Sequence, residues 1–193
     1  TLGIYGDADF YKLKGLVEAL LDKLGIGKYS FRTQSENPSY HPGRCAEVYI
    51  GDKKLGVIGE VHPEVAKNFK IGAEVYCAEL DFNTVLDSAT FDKHYKALPK
   101  FPATSRDIAM VLDKGVNVGE IERIIDKNRS NIIESYKLFD IYEGAQVGVG
   151  KKSVAYSITF RAADRTLTDD EVNAVMDKIL ESLKSELNVG IRD

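Results

Sequence analysis

The sequence has few cysteines, no long apolar run and no excess of basic charge. Its two cysteines, Cys45 and Cys77, are far apart and have no CxxC spacing, so we expect neither a disulfide framework nor a zinc site. No apolar run approaches the length that spans a membrane, and the first residues lack the charged and apolar regions of a signal peptide. The sequence therefore predicts a soluble protein.

Positive charge is not concentrated in either half of the chain. Residues 1–93 hold 11 Lys and Arg against 14 Asp and Glu, and residues 94–193 hold 15 against 16. A protein that binds nucleic acid mainly through its phosphates needs a basic surface. Any RNA binding must therefore use local clusters and contacts with bases, and we expect neither DNA nor a membrane as a partner.

Two prolines mark a boundary in the middle of the chain. Pro99 and Pro102 disfavour regular helix and central strand over residues 98–103. Beyond them, apolar residues recur with the period of a strand that has one buried face, namely Ile108, Met110 and Leu112. A length of 193 residues fits two small domains, which we place at 1–93 and 94–193.

The first half predicts a helix packed on an antiparallel sheet. An apolar stripe at three- and four-residue steps from Phe10 to Leu24 indicates an amphipathic helix, which Asp7 or Asp9 caps and Gly25 ends. Strands are predicted at 46–50, 54–61 and 74–82, a short helix at 63–69, and a surface loop through 37–43. Three strands make a thin core, so a larger sheet is expected.

No metal site or catalytic centre is expected in the first half. Its carboxylates, Glu47, Glu60, Glu64 and Glu79, have no spacing that groups them with a histidine. The three histidines, His41, His62 and His94, are scattered, and we interpret them as turn residues. No nucleophile with its base is evident.

The second half has the order βαββαβ. We predict strands at 106–112, 132–142, 152–161 and 189–192, with one helix from Asn117 to near Arg129 and another from Thr168 to about 187. Both helices begin with a capping box, Asn117 with Glu120 and Thr168 with Glu171. This order is typical of a ferredoxin-like fold, in which two helices cover one face of a four-stranded antiparallel sheet. The fold class is therefore α+β.

Strand alternation predicts which side chains lie on the uncovered face of that sheet. In the third strand Val154, Tyr156, Ile158 and Phe160 face the helices, which leaves Ser153, Ala155, Ser157, Thr159 and Arg161 outward. The first strand presents Asp107 and Ala109. In the second strand we expect Phe139 and Ile141 inward, and Tyr136, Asp140 and Tyr142 outward. Such a face either stacks unpaired RNA bases on its tyrosines or packs on another domain.

A glycine-rich segment, GAQVGVGKKS at 144–153, does not form a phosphate loop. The pattern GxxxxGK[ST] would require glycine at Ala145 and a hydroxyl at Lys152. The segment also joins two strands, whereas a phosphate loop precedes a helix. We expect a flexible hairpin loop.

Long motifs in both halves resemble those of a known family. YHPGRCAEVYIGDKKLGVIGEVHPEV in the first half, and LPKFPATSRDIAMV, LFDIYEG, KKSVAYSITFR and DRTLTDDEVN in the second, are similar to the C-terminal part of the bacterial phenylalanyl-tRNA synthetase β subunit. The chain starts at Thr1 without a methionine, which favours a piece of a longer protein.

The resemblance implies a role for each half. Residues 1–93 would be the end of a class II synthetase-like core module that carries no active site and packs against the α subunit of an α2β2 heterotetramer. Residues 94–193 would be the ferredoxin-fold domain that binds the anticodon stem-loop of phenylalanine tRNA. Adenylation with ATP and magnesium would belong to the α subunit, so this chain would need no cofactor and would have no activity alone. The location would be cytoplasmic.

The resemblance also implies site residues. Tyr142 would stack on an anticodon base, and Ser153 and Ala109 would fix the edge of that base and its closeness of approach. Phosphate or sugar contacts would come from Arg106, Lys151, Lys152 and Arg161. Arg106 has a structural alternative, an ion pair with an acid such as Asp107 or Asp140. Because the second half is near neutral, we expect weak RNA binding in isolation.

A second function stays open at this point. A ferredoxin-like domain can also serve in regulation or assembly, with its uncovered face meeting a protein or a small metabolite. Burial of the face around Tyr142 would favour that alternative.

Overall fold

The computed structural model describes residues 1–91, 95 and 97–192. The chain divides into two compact units, Thr1–Tyr95 and Lys96–Asp193, which we call the N-terminal and the C-terminal unit. His94, which we interpreted as a turn residue, lies outside the described residues. In the described part of the chain, no helix combines the length and the apolarity needed to span a membrane.

In its described residues, the N-terminal unit is a five-stranded antiparallel sheet with three helices. The strand order is β1-β5-β4-β3-β2. In chain order the elements are β1 Leu2–Tyr5, α1 Phe10–Lys23, β2 Tyr29–Thr33, β3 Tyr40–Ile50, β4 Lys53–Val61, α2 Pro63–Asn68, β5 Val75–Leu80 and α3 Phe82–Ser88. The expected larger sheet is confirmed.

Helix α1 forms as its sequence predicts. The Asp9 carboxylate accepts a hydrogen bond from the Lys12 backbone N–H at 2.6 Å, and Gly25 follows the helix with a φ of 72°. An L side chain is strained at that φ, which explains a glycine as the stop signal. Three residues of the predicted stripe are fully buried in the core of this unit, namely Leu13, Val17 and Leu21.

One predicted loop is wrong. His41, Pro42 and Gly43 lie inside strand β3 and not in a surface loop. The pairing with β4 jumps from Tyr40↔Val61 to Cys45↔Gly59, so four residues stand opposite one. A proline is tolerated at such a bulge, because no ladder hydrogen bond is required of it there. The strands β1 and β2 and the helix α3 were not predicted.

The C-terminal unit has the predicted ferredoxin-like order. Its sheet is antiparallel with strand order β7-β8-β6-β9. The elements are β6 Thr104–Asp113, α4 Val118–Lys127, β7 Ile133–Tyr142, β8 Lys151–Phe160, α5 Asp169–Leu187 and β9 Gly190–Arg192. The α+β fold class is therefore confirmed.

Strand β8 carries the centre of the second core. Val154, Tyr156, Ile158 and Phe160 are fully buried, as their alternation predicts. They share a cluster with the apolar side chains of both helices, among them Ile121, Ile124, Ile125, Val172, Ile179 and Leu183. The Tyr156 hydroxyl donates to Glu122 at 2.9 Å. Burial, with the Glu122 carboxylate nearby, raises the pKa of Tyr156, so this side chain stays neutral and fixes α4 to the sheet.

The start of α5 is held by the predicted capping box. The Thr168 hydroxyl accepts from the Glu171 backbone N–H at 3.4 Å, and the Glu171 carboxylate accepts from the Thr168 backbone N–H at 2.9 Å. That backbone hydrogen bond, together with Arg165, lowers the pKa of Glu171 to about 2. The cap therefore keeps its charge at any physiological pH.

We predict that Thr168→Ala destabilises the C-terminal unit by about 1 kcal/mol, since Ala leaves an N–H of the first helical turn without its side-chain acceptor. Hydrogen exchange of the buried β8 amides, read by mass spectrometry, measures this loss. Thr166→Ala is the matched control, because Thr166 is an exposed threonine two residues away in the loop before α5. Equal protection in the two variants would contradict the assigned role of the cap.

Candidate nucleic-acid interface

One side of the C-terminal sheet faces away from α4 and α5, and strand register defines its members. Directly paired residues on adjacent antiparallel strands share a face. One row across the sheet is Tyr142↔Ser153↔Val111, and the next is Asp140↔Ala155↔Ala109↔Arg192. We call this side the open face; its charged members are Asp107, Asp113, Lys137, Asp140, Lys151 and Arg192.

Tyr142 is an aromatic member of the open face. It is 42% exposed at the end of β7, where the loop to β8 begins. Its ring lies directly over Gly144: a Cβ atom placed on Gly144 would lie 2.6 Å from the ring atom Cζ. No side chain larger than hydrogen fits there without moving the ring, so Gly144 sets where the ring rests.

Ser153 and Ala109 lie beside Tyr142, but with different access. Ser153 pairs directly with Tyr142 and is only 7% exposed. The expectation of an open platform is wrong at this position. The small Ser153 side chain lies between two larger paired residues, Tyr142 and Val111, which reduce its exposure to solvent. Ala109 is half-buried in the next row. The structure thus brings the three residues together on one face.

Each of the four basic residues that the sequence suggested either pairs with a described acid or lies on the helix side of the sheet. Arg106 shares the helix-facing side of β6 and donates to Asp169 at the start of α5 at 2.5 Å. The anticipated ion pair with an acid therefore exists, but the partner is Asp169 and neither Asp107 nor Asp140. The phase of β6 explains this, because Arg106 lies on the same side of the strand as Ile108 and Met110 and so points toward α5.

Contacts within the fold also determine the positions of the Arg161 and Lys152 side chains. The Arg161 guanidinium donates to both Glu134 carboxylate oxygens, at 3.0 and 3.1 Å, and to the Phe101 carbonyl at 2.5 Å. Arg161 therefore connects β7 and the proline-containing segment 98–103 to the end of β8. Lys152 pairs with Leu112 in the ladder, which puts it on the helix side. Lys151 lies on the open face and pairs with Asp113 at 3.5 Å.

The prediction for two residues of β7 is wrong because the strand contains a bulge. Pairing with β8 passes from Leu138↔Tyr156 to Asp140↔Ala155, so Phe139 is an extra residue. Tyr136, expected outward, faces the helices and donates to Asp126 at 3.0 Å. Phe139, expected inward, is 54% exposed. Asp140, Ile141 and Tyr142, beyond the bulge, have the predicted orientation.

Sequence reasoning missed Lys137 and Arg192 as members of the open face. Lys137 pairs with Ser157, and Arg192 pairs with Ala109. For Arg192 a signal existed in the sequence, since Ile191 alternates with it and packs on the core. The described residues contain no cluster of three or more His, Cys, Asp or Glu that could hold a metal ion.

We predict that Gly144→Ala displaces the Tyr142 ring while the unit stays folded, because the added methyl group would occupy the space of the ring. A selectively ¹³C-labelled tyrosine NMR spectrum measures this as a shift of the Tyr142 ring resonances. Gly119→Ala is the matched control, since a Cβ there meets nothing within 4 Å. Ring resonances that match the control would contradict the placement of the ring over Gly144.

Comparison with known proteins assigns both units. Residues 99–192 match the ferredoxin-fold anticodon binding domain, and residues 4–82 match the phenylalanyl tRNA synthetase beta chain CLM domain. Curated relatives are the phenylalanine–tRNA ligase beta subunits of Clostridium tetani, 47% identical over 192 residues, Clostridium acetobutylicum, 43% over 192, and Bacillus subtilis, 39% over 184.

These relatives align with nearly all of the chain but are much longer than it. The alignments cover 100%, 100% and 95% of the chain, and 24%, 24% and 23% of the three relatives. The chain thus spans about a quarter of the length of the curated relatives it matches. Both domain matches and all three relatives agree, and the chain belongs to the phenylalanine–tRNA ligase β subunit family.

Proposed function

We propose that the C-terminal unit binds the anticodon stem-loop of phenylalanine tRNA as a non-catalytic part of an ATP-dependent phenylalanine–tRNA ligase. The observation that carries this proposal is the exposed Tyr142 ring, which lies beside Ser153 and Ala109 on the open face of a ferredoxin-like anticodon-binding fold. An aromatic ring on a sheet can stack on an unpaired base whatever its identity.

Residues around the ring supply the rest of a base site. Asp140 is exposed in the row next to Tyr142 and Ser153, and its carboxylate accepts hydrogen bonds from base N–H groups. Ala109 in the same row has a short, half-buried side chain, which lets a base approach the sheet closely, whereas Ala155 beside it is buried as Ser153 is. We propose that Tyr142 stacks, that Asp140 reads a base edge and that Ala109 leaves the necessary space; Ser153, which is buried, supports the ring from the adjacent strand.

Phosphate contacts are few in this proposal. On the open face three carboxylates, Asp107, Asp113 and Asp140, balance three cations, Lys137, Lys151 and Arg192. Few phosphates can be neutralised by such a surface, so the affinity should fall only gently with salt. Recognition then depends on bases more than on charge.

For the N-terminal unit we propose a role in assembly. Helix α1 has three exposed apolar side chains, Tyr11, Leu16 and Leu20, and exposed apolar side chains that group on one element are typical of interaction surfaces. We propose that residues 1–93 pack against the α subunit of an α2β2 ligase, which acts in the cytoplasm and where ATP and magnesium serve adenylation. Residues 94–193 then form the tRNA-binding module.

We predict that Tyr142→Ala weakens binding of a fluorescently labelled phenylalanine-tRNA anticodon stem-loop by about 1–3 kcal/mol, the usual contribution of one base stacked on an aromatic ring. That is roughly a 5- to 150-fold rise in Kd. Tyr142→Phe should bind as the unmodified chain does, because stacking needs the ring and not the hydroxyl. Fluorescence anisotropy at low and moderate salt measures the affinities.

The control for this experiment is Tyr11→Ala, which removes an exposed tyrosine of the other unit. Equal binding by Tyr142→Ala and this control would show that Tyr142 is not the stacking platform. If the unmodified chain fails to bind the stem-loop even at low salt, the alternative gains support, in which the open face serves regulation or assembly through a protein or a small metabolite.

A further inference from the structure

Arg192 occupies a distinctive place on the open face. Strand β9 is an edge strand, and in its pairing with β6 the residue Arg192 lies opposite Ala109 while Ile191 lies opposite Met110. Met110 is fully buried and Ile191 packs on the same core. Because alternate residues of a strand point to opposite faces, Arg192 belongs to the open face, where it is exposed.

Among the ion pairs between described residues, Arg192 also differs from the other arginines of its unit. The C-terminal unit has six arginines, and five of them pair with a carboxylate: Arg106, Arg123, Arg129, Arg161 and Arg165. Within the ranges 1–91, 95 and 97–192, no carboxylate lies within 4 Å of the Arg192 guanidinium. Its charge is therefore not committed to any described acid.

Tyr142 and Arg192 lie at opposite edges of the four-stranded sheet. Strand β7 is one edge and β9 the other, and three interstrand gaps with an offset of two residues separate their backbones by roughly 16 Å. Arg192 ends the row Asp140↔Ala155↔Ala109↔Arg192, which has two alanines at its centre and adjoins the row of Tyr142. A single strand of RNA with one base on Tyr142 can follow this row toward β9.

We propose that Arg192 binds a backbone phosphate of the RNA strand whose base stacks on Tyr142. This rests on the proposed function and adds a direction to it: the RNA crosses the sheet from β7 to β9. A guanidinium is suited to this role because its planar fork of donors matches two phosphate oxygens. Lys151, by contrast, is engaged with Asp113 beside Tyr142.

The test is a salt titration of anticodon stem-loop binding with the 193-residue chain and its Arg192→Gln variant. Loss of one phosphate contact to single-stranded RNA should reduce the magnitude of the slope of log K against log salt by about 0.7. Arg192→Lys, which keeps the charge, should restore the slope. Arg123→Gln is the matched control, since it removes the same charge from α4 on the opposite side of the sheet.

Each outcome decides the inference. A reduced slope in Arg192→Gln alone, with Arg192→Lys restored, supports the crossing from Tyr142 to Arg192. If Arg192→Gln behaves as Arg123→Gln while Tyr142→Ala loses affinity, the phosphate contact is overturned and the proposed function stands. If the unmodified chain does not bind the stem-loop, the proposed function fails and the phosphate contact fails with it.

Discussion

The β-bulge at Phe139 is the constraint on which the open face depends. Before the bulge, Tyr136 and Leu138 face the helices, as their packing against the core shows. Without the extra residue, the period of two would continue and would turn Asp140 and Tyr142 inward as well. The bulge shifts the alternation by one, so that Ile141 pairs with Val154 on the helix side and Tyr142 pairs with Ser153 on the other. One inserted residue thus provides both a packed β7 and an outward tyrosine.

The second constraint is that most arginines of the C-terminal unit pair with carboxylates of the same unit. Arg161 joins β7, β8 and the proline segment through Glu134 and the Phe101 carbonyl, and Arg106 joins β6 to the start of α5 through Asp169. Partly exposed pairs of this kind contribute little to stability individually. Their main consequence is spatial, since they hold element ends together and leave the open face electrically balanced.

The element order could be predicted because its signals are local. Helices α1, α4 and α5 have capping residues at their starts and apolar positions at helical spacing, and small or polar residues alternate with large apolar ones along β8 from Ser153 to Phe160. The bulge in β7 could not be predicted, because Leu138, Phe139 and Asp140 include no glycine or proline that would mark it. The parity rule, counted back from Tyr142 through that bulge, therefore gave the wrong face for Tyr136.

Other errors have a tertiary origin. Pro42 and Gly43 read as a turn, yet the irregular pairing of β3 with β4 accommodates them within a strand. The partner of Arg106 is 63 residues away in sequence, and no local pattern identifies a contact of that range. The short strands β1 and β2 owe their pairing to the neighbouring strands β5 and β3, since strand preference reflects packing against neighbours more than an intrinsic tendency.

The arrangement around Gly144 bears on the affinity that the proposed RNA binding can reach on a nearly neutral face. A ring that must be ordered on binding loses conformational freedom, and that loss reduces the affinity. In this structure the Tyr142 ring already lies against the backbone of Gly144, and the loop is itself closed by a hydrogen bond from the Val147 backbone N–H to the Gly144 carbonyl at 3.1 Å. Val147 is buried, which holds the loop in place. In the proposed binding mode, this contact lowers the cost of ordering the ring and offsets part of the low positive charge of the face.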